Sequence, residues 1–172
     1  MIDLLKAIAE TKKLHPSTKI IIISDANDVF IQTFLDNAVS FLNVDKIISN
    51  YATYCGDGLT LRPYQVQNEC SICPPNLCKG SALTDYMKTH GPFSTVYYIG
   101  DGANDICPCL KLTEKDTAFV RKGFGMEKVI ARGKLKGNDL SLKAKIVYWD
   151  DANVIKDETC VFDKKVADKS SI

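Results

Sequence analysis

The chain has 172 residues, a length that suits one domain with a buried core. Its 22 basic and 21 acidic residues are interspersed and give a net charge of +1, which predicts no electrostatic attraction for nucleic acid or an anionic membrane. No apolar run reaches the roughly 20 residues of a membrane helix, and the first residues lack the basic and apolar regions of a signal peptide, so a cytoplasmic protein is expected.

The first part of the chain is predicted to form a βαβ unit followed by a hairpin. A Lys-Ile-Ile-Ile-Ile run has the continuous apolar character of a parallel strand that is covered on both faces. Alternation around a Gly-Asp-Gly sequence predicts the hairpin. The expected elements are, in chain order, a helix over 2–14, a strand over 19–23, a helix over 29–41, a strand over 46–50 and the hairpin over 51–63.

The second part of the chain adds three strands and three helices. Helical spacing of apolar residues predicts a helix that starts at Lys79. The remaining elements are a strand over 93–99, a short helix over 105–112, a strand over 117–120, a helix over 124–132 and a strand over 145–149. We assign residues 1–155 to one α/β core and residues 156–172 to a polar C-terminal tail.

A polar cluster, Ser-Asp-Ala-Asn, follows the first predicted strand. The Ser24 hydroxyl and the backbone N–H groups after it could donate hydrogen bonds to a phosphate oxygen, with Asp25 beside the bound group. Capping of the next helix by Asp25 or Asn27 explains the same residues without a ligand.

A strand that runs into residues 100–105, Gly-Asp-Gly-Ala-Asn-Asp, is the strongest functional signal in the sequence. The carboxylates of Asp101 and Asp105 are expected at the carboxyl edge of a sheet, where ligands of open α/β folds bind. One or two carboxylates, completed by substrate phosphate oxygens, suit Mg²⁺. An Asx/Gly turn with Asp105 as a helix cap is the alternative. An EF-hand calcium loop fits less well because Ile106 stands where that loop needs Gly.

Three cysteines, Cys70, Cys73 and Cys78, follow the predicted hairpin. They could bind zinc if Cys55, Cys107 or Cys109 supplied the fourth ligand that a structural site needs. Reduced structural thiols are the favoured explanation in a cytoplasmic protein. A Cys-x-x-Cys redox centre is disfavoured because two prolines follow it, where such a centre normally opens a helix.

Lys79, which directly follows these cysteines, could reach the same sheet edge as Ser24 and Asp101, although a single Lys is most often a surface residue. A hydroxyl donor, a cation and two carboxylates suit phosphoryl transfer, where positioning and charge neutralisation supply most of the catalysis.

The order of these motifs resembles the haloacid dehalogenase superfamily of phosphatases. Ser24 matches its second motif, Lys79 its third and residues 100–105 its fourth. Within the superfamily, the segments Ile-Ile-Ile-Ser-Asp-Ala-Asn, Cys-Pro-Pro-Asn-Leu-Cys-Lys, Gly-Asp-Gly-Ala-Asn-Asp-Ile-Cys-Pro and Arg-Lys-Gly-Phe are similar to the phosphoethanolamine/phosphocholine and pyridoxal-phosphate phosphatase family. The resemblance covers about residues 1–150.

The resemblance implies a Rossmannoid parallel sheet and a Mg²⁺-dependent phosphomonoesterase that acts on a small phosphorylated metabolite through an aspartyl-phosphate. It places the metal at Asp101, and we predict Asp105 of the same motif as the second metal-binding residue. It also puts Asp25 against the substrate. Ser24 would hold the phosphoryl oxygens, and Lys79 would orient the nucleophile and neutralise charge.

The sequence departs from the family in one respect. The family's Asp-x-Asp-x-Thr motif, which supplies the nucleophile, has no counterpart before Ser24. We therefore expect a core that lacks the first strand and the helical cap, and no turnover by this chain alone. Two interpretations of the chain follow. It is an incomplete or alternatively initiated copy of a phosphatase, or it is a non-catalytic module that binds phosphate or zinc.

Overall fold

The computed structural model describes residues 2–167. The helices are α1 (Ile2–Leu14), α2 (Asp28–Ala38), α3 (Lys79–His90), α4 (Ile106–Cys109), α5 (Gly125–Arg132) and α6 (Ala152–Ala167), and a 3-10 turn (Ala103–Asp105) precedes α4. The strands are β1 (Ile21–Asn27), β2 (Lys46–Cys55), β3 (Gly58–Arg62), β4 (Tyr97–Gly100), β5 (Thr117–Arg121), β6 (Lys134–Leu135), β7 (Asn138–Asp139) and β8 (Lys145–Trp149).

The strands form two three-stranded sheets and one short hairpin. In the first sheet β1 is parallel to β2, and β2 continues into the predicted hairpin with β3. In the second sheet β4, β5 and β8 are all parallel. This confirms the predicted α/β fold with parallel strands. Within residues 2–167, one edge of β1 and one edge of β4 have no strand partner.

The second sheet is covered on both faces, which fixes the carboxyl ends of its strands. Phe119 of the central strand β5 packs with α1 and α6 in a cluster of Leu4, Phe119, Trp149, Ala152 and Ile155. The neighbouring Ala118 and Val120 face the other way and pack with Leu83, Tyr98, Ile106, Leu112 and Met126. Because side chains alternate along a strand, consecutive buried residues of β5 pack against the helices on both faces of the sheet.

The first sheet contains an irregular strand end that carries two predicted site residues. β1 extends to Asn27, four residues beyond the predicted end of the strand, and its register against β2 shifts between Ile23 and Asn27. The buried Asn50 amide donates to the carbonyl oxygens of Asp25 (2.7 Å) and Ala26 (3.0 Å) and thereby holds this backbone. Asn27, not Asp25, caps α2 by accepting from the Phe30 N–H.

Replacing Asn50 with Ala is expected to lower the free energy of unfolding by about 1–2 kcal/mol, because two carbonyls and the Tyr64 N–H lose their partner. The control is Asn37→Ala on the exposed face of α2, whose amide bonds only to the local Thr33 carbonyl. Urea unfolding of both variants provides the measurement. Equal, small losses in the two variants would contradict a structural role for Asn50.

The structure differs from the sequence prediction in two regions, the β6–β7 hairpin and helix α6. Residues 133–140 contain the β6–β7 hairpin, whose two central residues, Lys136 and Gly137, both have positive φ, as a type I′ turn requires. The predicted tail overlaps α6 as far as Ala167, and residues 168–172 lie outside the described part of the chain.

None of the helices in the described part is long and apolar enough to cross a membrane.

Candidate active site

A cavity of about 300 Å³ lies at the carboxyl ends of the strands of the second sheet and beside β1. Parallel strands of α/β proteins bind ligands at this edge. The lining residues are Ile23, Lys79, Tyr98, Ile99, Gly100, Asp101, Asp105, Arg121 and Trp149. Three of the predicted site residues are therefore in one cavity.

The Asp105 carboxylate is the structural centre of this site. It is 4% exposed, and four groups donate to it. Oδ1 accepts from Lys79 Nζ (2.8 Å) and from the Tyr98 hydroxyl (2.7 Å). Oδ2 accepts from the backbone N–H groups of Asp101 (3.0 Å) and Gly102 (2.8 Å). Asp105 thus fixes both the Lys79 ammonium and the turn that carries Asp101.

Tyr98 contributes to this network as a donor. Burial and the neighbouring Asp105 charge raise the pKa of the Tyr98 hydroxyl well above its usual value. Its proton is therefore retained at neutral pH, and the hydroxyl keeps its hydrogen bond to the carboxylate.

The glycine that ends β4 allows this turn to close. A Cβ on Gly100 would lie 2.8 Å from the Cβ of Asp105 and 3.0 Å from its Oδ2, which is too close for any other residue type. The Gly-Asp-Gly sequence therefore brings the strand end against the carboxylate that binds the N–H groups of the turn.

Asp25 joins the end of β1 to the same site. Its Oδ2 accepts from Asn104 Nδ2 (3.2 Å), and its Oδ1 lies 3.9 Å from Lys79 Nζ. Lys79 therefore lies between two carboxylates, with its side chain 10% exposed. The Ser24 hydroxyl lies one residue beyond Ile23 and accepts from the Ala26 N–H (3.2 Å), which leaves its own proton available to donate.

Asp101 lies at the open side of the cavity beside a cation. Its side chain is half-exposed, and Oδ2 lies 3.7 Å from Arg121 Nη1. The Arg121 guanidinium stacks over Phe124 at 4.1 Å and over Trp149 at 5.4 Å from the ring centroids. Asp101 retains the acceptor capacity that a hard metal ion needs, whereas both Asp105 oxygens already accept two hydrogen bonds each.

The structure brings Asp25, Lys79, Asp101 and Asp105 together, with Ser24 adjacent. The catalytic, substrate-binding and metal-binding roles assigned to them stay predictions. Sequence reasoning missed Tyr98, Asn104, Trp149 and the position of Arg121 at the site. Arg121 follows a predicted parallel strand directly, and that placement was the available signal.

A larger surface hollow of about 440 Å³ beside α1 has a different character. Its two lysines are paired, Lys12 with Asp45 and Lys13 with Glu10. It contains none of the predicted site residues, so the chemistry of the chain points to the smaller cavity.

Residues 1–160 match the Putative Phosphatase family. The chain is 37% identical over 148 residues to phosphoethanolamine/phosphocholine phosphatase of Gallus gallus, with 83% of this chain and 54% of that protein covered. It is 35% identical over 157 residues to phosphoethanolamine/phosphocholine phosphatase of Homo sapiens, with 88% and 57% covered. It is 34% identical over 155 residues to pyridoxal phosphate phosphatase PHOSPHO2 of Bos taurus, with 87% and 61% covered.

The chain therefore spans little more than half the length of these curated relatives. No solved structure matches it. The match extends over nearly the whole chain and includes every residue of the cavity, and the identities to named phosphatases agree with the resemblance seen in the motifs. The chain belongs to the Putative Phosphatase family.

Proposed function

We propose that this protein is a Mg²⁺-dependent phosphomonoesterase that acts on a small phosphorylated metabolite. The observation that carries the proposal is the position of the Lys79 ammonium, between Asp105 and Asp25 in a cavity at the carboxyl ends of parallel strands. The candidate substrates are those in the names of the relatives: phosphocholine, phosphoethanolamine and pyridoxal phosphate.

The charges of the site support a divalent cation. Asp25, Asp101 and Asp105 supply three carboxylates, against which Lys79 and Arg121 supply two cations. A phosphate monoester is an anion, and a site with one excess negative charge would repel it. A bound divalent cation would reverse that sign and would favour binding of the phosphate anion.

Asp101 is the residue that would hold Mg²⁺, and bound Mg²⁺ would neutralise the phosphate oxygens. Asp101 is half-exposed at the cavity, and within residues 2–167 its carboxylate is approached by the Arg121 guanidinium at 3.7 Å. Asp105 as a second ligand would have to exchange one of its four hydrogen bonds for the metal. We infer that Asp105 instead keeps Lys79 and the Asp101 turn in place.

Lys79 and the end of β1 would bind the phosphoryl group. The Lys79 ammonium can donate to a phosphoryl oxygen because Asp25 lies 3.9 Å away and does not saturate it. Ser24 can donate its hydroxyl proton, since among the described residues this hydroxyl acts as an acceptor, from the Ala26 N–H. Arg121 could add a further contact from the other side of the cavity.

The aspartyl-phosphate route also needs an attacking carboxylate. Asp25 is engaged by Asn104, Asp101 by Arg121, and Asp105 by four donors. Another segment would have to supply this carboxylate, and the edges of β1 and β4 that have no strand partner among residues 2–167 offer backbone groups with which an added strand can pair. A reducing compartment such as the cytoplasm suits the protein, because none of the six cysteines with described side chains forms a disulfide.

The experiment is an assay of the native protein, purified from its own cells, for phosphate release from phosphocholine, phosphoethanolamine and pyridoxal phosphate. We expect release from at least one of them with Mg²⁺, a loss of at least about 100-fold after chelation, and full recovery when Mg²⁺ is added back. Turnover that is unchanged by chelation would contradict the magnesium proposal. If none of the three monoesters releases phosphate, the proposed function is contradicted.

A further inference from the structure

Four cysteines from distant parts of the chain meet beside the candidate active site. Three come from the loop before α3 and the fourth from α4, and their sulfur atoms all lie within 4.8 Å of one another: Cys70, Cys73, Cys78 and Cys107. The Cys107 Sγ lies 3.6 Å from the Cys70 Sγ and 3.7 Å from the Cys78 Sγ. Three of the four side chains are buried, and Cys70 is half-buried.

The spacing of the sulfur atoms suits a single tetrahedral ion. Four thiolates at a Zn–S distance of about 2.3 Å lie about 3.8 Å from one another, close to the separations found here. A disulfide would bring two sulfurs to about 2.05 Å. The separations of 3.6 and 3.7 Å therefore fit sulfurs that surround one metal ion and exclude a bonded pair, and the other separations are all within 4.8 Å.

Backbone groups around the cluster also suit thiolate ligands. The Cys73 N–H donates to the Cys70 Sγ at 3.4 Å, and the Ser81 N–H donates to the Cys78 Sγ at 3.4 Å, which makes Cys78 the cap of α3. Such N–H groups reduce the mutual repulsion of thiolates around a metal. No imidazole or carboxylate belongs to the cluster, so its ligands are those of a soft metal and unlike those expected for Mg²⁺.

We propose that Cys70, Cys73, Cys78 and Cys107 bind one zinc ion in a closed structural site. Four protein ligands leave no position for water or substrate, which is the arrangement of structural zinc sites and not of catalytic ones. Of the three candidates for the fourth ligand, Cys107 is in the cluster, whereas Cys55 is exposed and Cys109 packs in the separate core under β4 and β5.

The zinc site would join the two segments that carry the buried ion pair of the active site. Cys78 directly precedes Lys79, and Cys107 follows Asp105 by two residues. The backbone of α3 approaches α4 so closely that a Cβ on Gly80 would lie 2.6 Å from the Cys107 Sγ. A metal held between these segments would fix the helix starts relative to each other without touching substrate.

Zinc content tests the proposal directly. We expect the full chain, purified without chelator, to contain zinc at a ratio near one per chain and to retain it through dialysis. Cys107→Ser should lose its zinc on dialysis, because removal of one of the four ligands weakens binding by more than the roughly 10–100-fold that loss of an outer-shell partner costs. Cys70→Ser changes the most exposed ligand and supplies a second test if Cys107→Ser does not fold. Cys55→Ser and Cys109→Ala are the controls and should keep the zinc.

Cobalt provides the signature of the ligand set. Apo-protein loaded with Co²⁺ alone should develop the sulfur-to-cobalt charge-transfer and intense visible bands of a tetrahedral thiolate site, and zinc should remove them. A metal-free protein, zinc retained by both ligand variants, or an octahedral cobalt spectrum would overturn the proposal. These readouts do not depend on turnover, so failure of the zinc site and failure of the proposed phosphatase activity are separate results.

Discussion

Replacing Asp105 with Ala is expected to lower the free energy of unfolding by about 3–5 kcal/mol, because the Lys79 ammonium would remain buried without its partner. The pair is well shielded, with side chains 10% and 5% exposed and a separation of 2.8 Å, and the carboxylate that would remain, Asp25, is half-exposed and 3.9 Å from Lys79 Nζ. The same change removes the acceptor for the Tyr98 hydroxyl and for two backbone N–H groups of the Asp101 turn. Urea unfolding monitored by circular dichroism measures the loss.

Two controls separate the buried pair from a general effect of losing a carboxylate. Asp36→Ala on the exposed face of α2 removes a carboxylate that accepts only from Gln32, and it should change stability by less than about 0.5 kcal/mol. Adding Lys79→Met to Asp105→Ala should recover part of the loss, because no buried charge is then left unpaired. A loss in Asp105→Ala as small as that in Asp36→Ala would contradict the central role assigned to Asp105.

The local sequence was sufficient to predict most of the elements that carry the site. The apolar run before Ser24, the Gly-Asp-Gly turn and the helix that starts at Lys79 each lie within a few residues of their predicted positions. These features depend on neighbouring residues, since hydrophobic periodicity and turn residues act over short distances. The expectation that strand ends gather at one sheet edge then placed Asp101 and Lys79 together.

The contacts between distant segments could not be read from the sequence. The three cysteines near residue 75 offered three possible fourth ligands, and only the packing of α3 on α4 selects Cys107. Tyr98 looked like one more apolar strand residue, although its hydroxyl donates to Asp105. The extension of β1 to Asn27 depends on the Asn50 amide, a residue of the neighbouring strand. Each case is a long-range contact that overrides or completes a local pattern.

The open strand edges are also a feature of the tertiary structure that bears on behaviour in solution. β1 and β4 each have an edge without a strand partner within residues 2–167, and several large apolar side chains are exposed, among them Phe30 and Phe34 of α2 and Ile99 of β4. Unpaired edges and exposed apolar residues favour association of chains.

Replacing Asp101 with Asn is expected to reduce kcat/KM of the native protein for its phosphomonoester by about 10²–10³-fold, because the site loses a negative charge that would hold the divalent cation. Stability should stay within about 0.5 kcal/mol of the parent protein, since the Asp101 side chain is half-exposed and Asn can accept from Arg121 in its place. The required Mg²⁺ concentration should rise in the variant if residual activity is measurable.

Asp150→Asn is the matched control for this measurement. Asp150 also follows a strand of the second sheet, is exposed, and pairs with Lys122 at 3.2 Å without lining the cavity. Its activity should equal that of the parent protein, so a large loss confined to Asp101→Asn would locate the metal requirement at the Gly-Asp-Gly turn. Equal turnover in the two variants would contradict the assignment of Asp101, whereas equal large losses would show that carboxylates outside the cavity also control the reaction.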